Sequence, residues 1–305
     1  MNTSNVSKKI KLYFNELVKT ISQGEINQHS IIIAYYALFS IFPIIIIVGN
    51  ILPLFKIDTR PIADYLSLIF PAQVSKLVIP IITTLLKQHS SGFISFGIIV
   101  SIWSFSGLTN SIRLAMNKIY GVDQKEKQRA WWYTFFARTV TFLVTVLLVL
   151  SFSGVMFVFA FGRQIMEFLV PVFGFSLAWV YKIESYKWPL IILMIVIVVL
   201  YVNLVLPNID TAKRRIWPGV WVTTISWLGL SYGFGWYLRN FGIRWQNYGI
   251  IGSFIVFMFW LNLGALLLLF GVCINAASDQ LKYGETKYST SSLISFYKRR
   301  RDSSH

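Results

Sequence analysis

A chain of 305 residues with 55% hydrophobic and only 13% charged residues lies outside the soluble class, where about 25% of residues are charged. Its formal net charge of +16 raises nucleic acid as a partner, but the basic residues fall between the apolar runs and at both chain ends. They form no single binding face, so nucleic acid is excluded as a partner and the charge reads as membrane topology.

Residues 1–29 are expected to be a cytoplasmic amphipathic segment. Ile10, Leu12, Phe14, Leu17 and Ile21 recur among Lys8, Lys9, Lys11 and Lys19. That pattern predicts a helix on the inner leaflet, where each lysine contributes about 1 kcal/mol against anionic lipid. The first long apolar run begins near Ser30, too far into the chain for a secretory signal, and is expected to stay as an anchor. A bilayer-crossing helix needs about 20 mostly apolar residues. Runs that meet this test lie at 30–55, 90–112, 139–162, 188–209, 216–238 and 249–277. Lipid offers no partner to a bare backbone, so each is expected to be helical. The fold class is therefore all-α: a six-span bundle over 30–278, followed by a basic cytoplasmic tail at 279–305.

Between the first two spans, Val74, Leu77, Val78, Ile81, Ile82, Leu85 and Leu86 recur at helical spacing, with Pro80 as a break. An interfacial helix capping the bundle and a lid over a substrate path are both open readings of this segment. Pro43 and Pro207 imply kinks or helix ends, and Pro218 with Gly219 is expected to open the fifth span. With the amino end placed inside, nineteen of the 28 Lys and Arg residues fall on that side. This bias puts both termini in the cytoplasm.

Catalytic chemistry finds little support. His29, His89 and His305 lie far apart in the chain, no metal-ligand spacing occurs, and no nucleophile elbow or phosphate loop is present. All twelve acidic residues fall outside the expected spans. No enzyme activity, cofactor or metal is expected, and Cys273 reads as a small buried hydrophobe. The polar residues inside the spans are mostly uncharged: Tyr35, Tyr36, Ser40 and Asn50 in the first, and Ser101, Ser104, Ser106, Thr109 and Asn110 in the second. They either bond helix to helix, at about 0.6 kcal/mol each, or line a polar groove. Arg113 and Arg138 lie at the ends of the second and third spans. They either snorkel to the interface or together hold an anionic headgroup. Gly229 and Gly233 form a GxxxG pair suited to close helix packing.

The motifs AYYALFSIFP at 34–43, WSFSGLTNSIRLAMNKIYGV at 103–122, LPN at 206–208 and WPG at 217–219 occur in this order. They are followed by Tyr237, Asn247, Tyr248, Gly249, Gly252 and Trp260. In these the chain resembles the YihY/virulence factor BrkB family of bacterial inner-membrane proteins, once mislabelled ribonuclease BN. The resemblance implies a six-helix inner-membrane protein with transport or envelope and virulence roles. It also implies an acidic residue in a GAELNA-like motif of the last helix, where this chain reads Gly271, Val272, Cys273, Ile274, Asn275 and Ala276.

The expected function is that of a permease or flippase-like transporter of a lipid or other amphiphile. Asn110, Arg113 and Arg138 would meet the headgroup, and Tyr237, Asn247 and Tyr248 would lie towards the outer mouth. The alternative is a scaffold in envelope integrity or virulence. Membrane lipids are the expected partners, and a homo-oligomer or an envelope protein is left open as a further one.

Overall fold

The computed structural model describes residues 3–51, 75, 79, 91–123, 187–209, 214–241, 249–284 and 286. Among these residues there are six helices and no strand: α1 (Thr3–Gly24), α2 (Ile26–Ile51), α3 (Ser91–Ile119), α4 (Lys187–Val205), α5 (Trp217–Phe241) and α6 (Gly249–Tyr283). The described residues are all-α, as the long apolar runs predict. The stretch Phe254–Tyr283 is long and apolar enough to cross a membrane, and Ile191–Val205 is a shorter apolar helix. The third expected span, at 139–162, lies outside the described residues. Of the segment between α2 and α3 only Ser75 and Ile79 are described, and both are helical.

Local chemistry accounts for the helix ends. α1 stops at Gly24, the chain turns at Glu25 (φ 44°), and α2 begins one residue later. α2 continues through Pro43 without a break. Gly121 adopts φ 69° after α3, while Val122 N–H donates to Asn117 C=O at 2.9 Å and Gly121 N–H to Lys118 C=O at 3.0 Å. This is a Schellman cap, which needs a residue without a Cβ at the left-handed position. α4 ends at Val205, because the residue before a proline is driven out of the helical region and Pro207 follows Leu206. α6 closes on Gly284, at φ 75°, whose N–H donates to Gln280 C=O at 3.0 Å. α3 and α6 therefore outrun the expected span ends at 112 and 277. Hydropathy marks where charge begins, whereas these caps mark where backbone hydrogen bonding ends.

The last helix is the hub: α6 packs against α1, α2, α3 and α5, while α2 packs along α3 and α4 along α5. The main core brings Ile26 and Ile33 of α2 together with Ala115, Met116 and Ile119 of α3 and Leu269, Val272, Cys273 and Ala276 of α6. Leu206 and Ile209 close it, and Leu17 and Ile21 of α1 pack against it. A second cluster joins Val196 and Val199 of α4 to Ile216, Val220 and Leu268. The core thus lies at the end of the molecule where α3 and α6 finish and α5 starts.

Candidate polar site at the α5–α6 joint

Of the residues singled out from sequence, Asn110 and Arg113 are brought together: Arg113 Nη2 donates to Asn110 Oδ1 at 2.7 Å. Arg113 is only 4% exposed, so it does not reach the surface as a snorkelling side chain would. Trp103, Ser106, Asn110, Arg113 and Asn117 follow one another at three- and four-residue steps, so they form one stripe along α3. The stripe passes from exposed at Trp103 and Ser106 to buried at Arg113 and Asn117. Tyr237 is exposed and stacks on Phe234, with ring centroids 6.4 Å apart. It lies about 30 Å along α5 from the amino end that meets α6, at about 1.5 Å per residue. Arg138, Asn247 and Tyr248 lie outside the described residues.

Sequence reasoning passed over a second polar constellation. The first turn of α5 leaves amide donors without helical partners, and Ile216 in front of it has no side-chain oxygen with which to cap them. α6 supplies the acceptors instead. Gly219 N–H donates to Asn275 Oδ1 at 2.7 Å, and Arg215 N–H donates to Asp279 Oδ1 at 3.0 Å. Asn275 and Asp279 are one helical turn apart, so a single face of α6 grips the amino end of α5. Asn275 Nδ2 donates onward to Asn203 Oδ1 of α4 at 3.0 Å, and Asn203 Nδ2 donates to Val199 C=O at 2.9 Å. Asn117 Oδ1 of α3 accepts the N–H of Asn208 at 2.8 Å.

The backbones touch where α5 and α6 cross. A Cβ on Gly219 would run into the Gly271 carbonyl, and one on Gly271 would meet Thr223 Oγ1 and lie 2.7 Å from the Gly219 carbonyl. Higher up, Trp227 Nε1 donates to Gly264 C=O at 2.8 Å. A Cβ at Gly229 or Gly233 would meet nothing within 4 Å, and both glycines are exposed. They therefore lie away from the α5–α6 crossing.

Asp279 is 3% exposed, and its Oδ2 has no hydrogen-bond partner. It counts among the acidic residues outside the spans, yet α6 carries it into the interior as part of its last turns. Burial raises its carboxyl above the ordinary range, against the opposing pull of the Arg215 N–H and the charges of Arg214, Arg215 and Lys282. The Arg214 guanidinium lies 4.9 Å over the Tyr120 ring, and burial pushes the Tyr120 phenol upward. Among the described residues no group of three His, Cys, Asp or Glu side chains is placed to hold a metal ion.

Residues 17–292 match the virulence factor BrkB family. The chain belongs to that family. It is similar to the ribonuclease-like protein YfkH of Bacillus subtilis (strain 168), at 29% identity over 272 residues covering 88% of this chain and 96% of the relative. No solved structure matches it.

The motifs of this BrkB-family membrane protein meet one another in space. Gly107 of α3 lies against the Tyr36 ring of α2, where a Cβ would overlap the ring. The KIYGV run forms the α3 cap and buries Tyr120 and Val122. LPN reaches α3 through Asn208, and WPG starts α5 on Asn275. Cys273, at the position where the resemblance implies an acid, is fully buried in the main core with Val272 and Ala276. A sequence signal for the joint exists: Asn203 interrupts an otherwise apolar α4, and Asn275 and Asp279 recur at i, i+4 on α6.

Proposed function

We propose that this BrkB-family protein crosses the bacterial cytoplasmic membrane six times with both termini in the cytoplasm. On this reading it moves a lipid or other amphiphile between leaflets without covalent chemistry. The observation that carries it is the stripe on α3, which offers an apolar exposed end at Trp103 and a dehydrated guanidinium at Arg113. An amphiphile has the same two-ended character: its acyl part suits Trp103, and its anionic headgroup suits the Asn110–Arg113 pair. The common side of the termini is supported by α1 packing on α6, with Leu17 and Ile21 against the cluster that includes Ala276.

The test is reconstitution of the purified chain into liposomes with fluorescent phospholipid, followed by chemical quenching of the outer leaflet. Quenching beyond that of empty vesicles, reduced by Arg113→Ala in folded protein, is expected. Quenching equal to empty vesicles, or a variant as active as the native chain, removes the reading. A scaffold role is favoured by one separate observation, the open exposed face at Gly229 and Gly233. Crosslinking through that face to a stable partner, without lipid movement, would select it.

A further inference from the structure

The amino end of α5 is held by two side chains of α6, and they differ in what they can do. Asn275 is neutral at every pH, and both ends of its carboxamide are used, by Gly219 and by Asn203. Asp279 is an ionisable group with one oxygen used and one idle: Oδ1 accepts the Arg215 N–H, while Oδ2 is buried without a partner. A carboxylate oxygen out of water and without a donor is costly, and the cost falls when a proton neutralises it. Among the described residues, the charges acting on Asp279 are Arg214 and Arg215 before α5 and Lys282 one turn on in α6, and the phenol near it is Tyr120, just past the end of α3. Burial removes Tyr120 further from exchange, and Asp279 holds the one carboxyl oxygen here that is buried without a donor. Asp279 is therefore the group at this joint that changes charge.

We propose that Asp279 is a proton-binding site, that the closed α5–α6 joint is its protonated form, and that opening of the joint to water releases the proton. The sign follows from linkage. The closed joint withholds water from the carboxyl and so binds its proton more tightly than the open joint, where the side chain is hydrated. Raising the pH therefore favours the open joint, and lowering it favours the closed one. The covalent change is confined to one O–H bond, formed on Oδ2 with a proton from solvent and broken again on release. The tight crossing at Gly219 and Gly271 fixes the joint as one unit, so the amides of residues 214–220 other than Pro218 report its opening together. Proton binding at Asp279 is independent of lipid movement.

The experiment uses the purified full-length chain in lipid nanodiscs, taken from about pH 8 to about pH 5, a range above the ordinary carboxyl value. Infrared difference spectra are expected to gain the C=O stretch of a buried protonated carboxyl on acidification, and Asp279→Asn removes that band. Amide exchange at residues 214–220, corrected for its intrinsic pH dependence, is expected to be faster at the upper pH in the native chain. In Asp279→Asn, which keeps an acceptor for the Arg215 N–H and carries no charge, it is slow at both. Arg214→Gln removes a cation that favours the carboxylate and is expected to move the band's midpoint upward by about one pH unit or more. This variant keeps the test decisive if Asp279→Asn does not fold. A band that survives Asp279→Asn, native exchange equal at the two pH values after correction, or a midpoint that Arg214→Gln leaves in place would overturn the proposal.

Discussion

Replacing Asn275 with alanine cuts α6 loose from two neighbours at once. Gly219 N–H loses its acceptor at 2.7 Å and stays buried in the first turn of α5, where the helix offers it no other partner. A buried donor left bare costs about 1–3 kcal/mol. Asn203 Oδ1 loses the amide that donates to it at 3.0 Å, but Asn203 keeps its own bond to Val199 C=O, so one acceptor is orphaned and about 1 kcal/mol is added. The expected loss is therefore about 2–4 kcal/mol, large against a total stability of about 5–15 kcal/mol. Reversible unfolding of the full chain in mixed micelles, followed by tryptophan fluorescence, measures it. Cys273→Ala removes an apolar atom two residues away and serves as the control for lost volume alone. A double-mutant cycle with Asn203→Ala isolates the amide pair, and its coupling is expected to be about 0.6 kcal/mol or more. An Asn275→Ala chain within about 0.5 kcal/mol of native, or a cycle with no coupling, would refute the idea that α5 is capped from α6.

The glycines divide into two classes under the same assay. Gly219→Ala and Gly271→Ala each drive a methyl into the facing helix, so both are expected to prevent native packing, whereas Gly229→Ala and Gly233→Ala meet open space and gain about 0.5–1 kcal/mol from reduced chain entropy. If Gly229 and Gly233 are instead an intermolecular contact, their alanine variants lower the oligomer fraction in chemical crosslinking while monomer stability rises. Gly107→Val is expected to expel the Tyr36 ring and to be partly rescued by Tyr36→Ala, read as recovery of folded protein. The α1–α2 elbow should weaken in acid. The Lys118 ammonium, bonded to Glu25 Oε2 at 2.6 Å, holds the Glu25 carboxyl below its ordinary value. The stabilisation is therefore present above the unfolded carboxyl pKa and lost as pH falls through the lower folded value. His29 loses stability in the same direction, since burial holds its imidazole below the usual value. Amide exchange around residues 24–30, corrected for its intrinsic pH dependence, is expected to rise on acidification and to become less pH-dependent in Glu25→Gln.

Helix class and order were legible because lipid enforces long apolar runs and each is bounded by charge, as at Lys187 and at Lys213 to Arg215. Helix ends inside polar sequence were less so. Gly121 and Gly284 stop α3 and α6 by their left-handed backbone, and that is visible only once the hydrogen bonds of the cap are known. Arg113 reads as a snorkelling residue from its place near a span end, yet Asn110 folds back on it and the neighbouring helices bury it. Asp279 reads as the first residue of a solvated tail for a related reason. Charge position along the chain does not say which face a helix turns inward, and α6 turns Asn275 and Asp279 towards α5. The GxxxG pair misleads in the opposite direction. The pattern permits close approach, but the crossing is made by Gly219 and Gly271, which are far apart in sequence and form no local motif.

On the six-span reading, the length of α6 decides what an opening of the joint would expose. Its 35 residues extend about 52 Å at about 1.5 Å per residue, against a hydrocarbon layer of about 30 Å. With Gly249 at the outer boundary, Asn275 lies about 39 Å and Asp279 about 45 Å along the axis. A tilt of about 20° shortens these depths by only a few ångströms. Both side chains then lie beyond the acyl chains, in the inner headgroup layer or past it. A buried carboxylate there competes with water rather than with lipid, so parting α5 from α6 hydrates Asp279 instead of stranding it in hydrocarbon. The same depth explains why Arg214, Arg215 and Lys282 gather around it: cytoplasmic-side cations cluster where the helices leave the membrane. Asn262 lies about 20 Å along the same helix, within the hydrocarbon, and there the side chain is an uncharged amide that accepts from the Ser30 hydroxyl at 3.1 Å. The carboxylate of α6 therefore falls beyond the hydrocarbon, and the polar side chain within it is an uncharged amide.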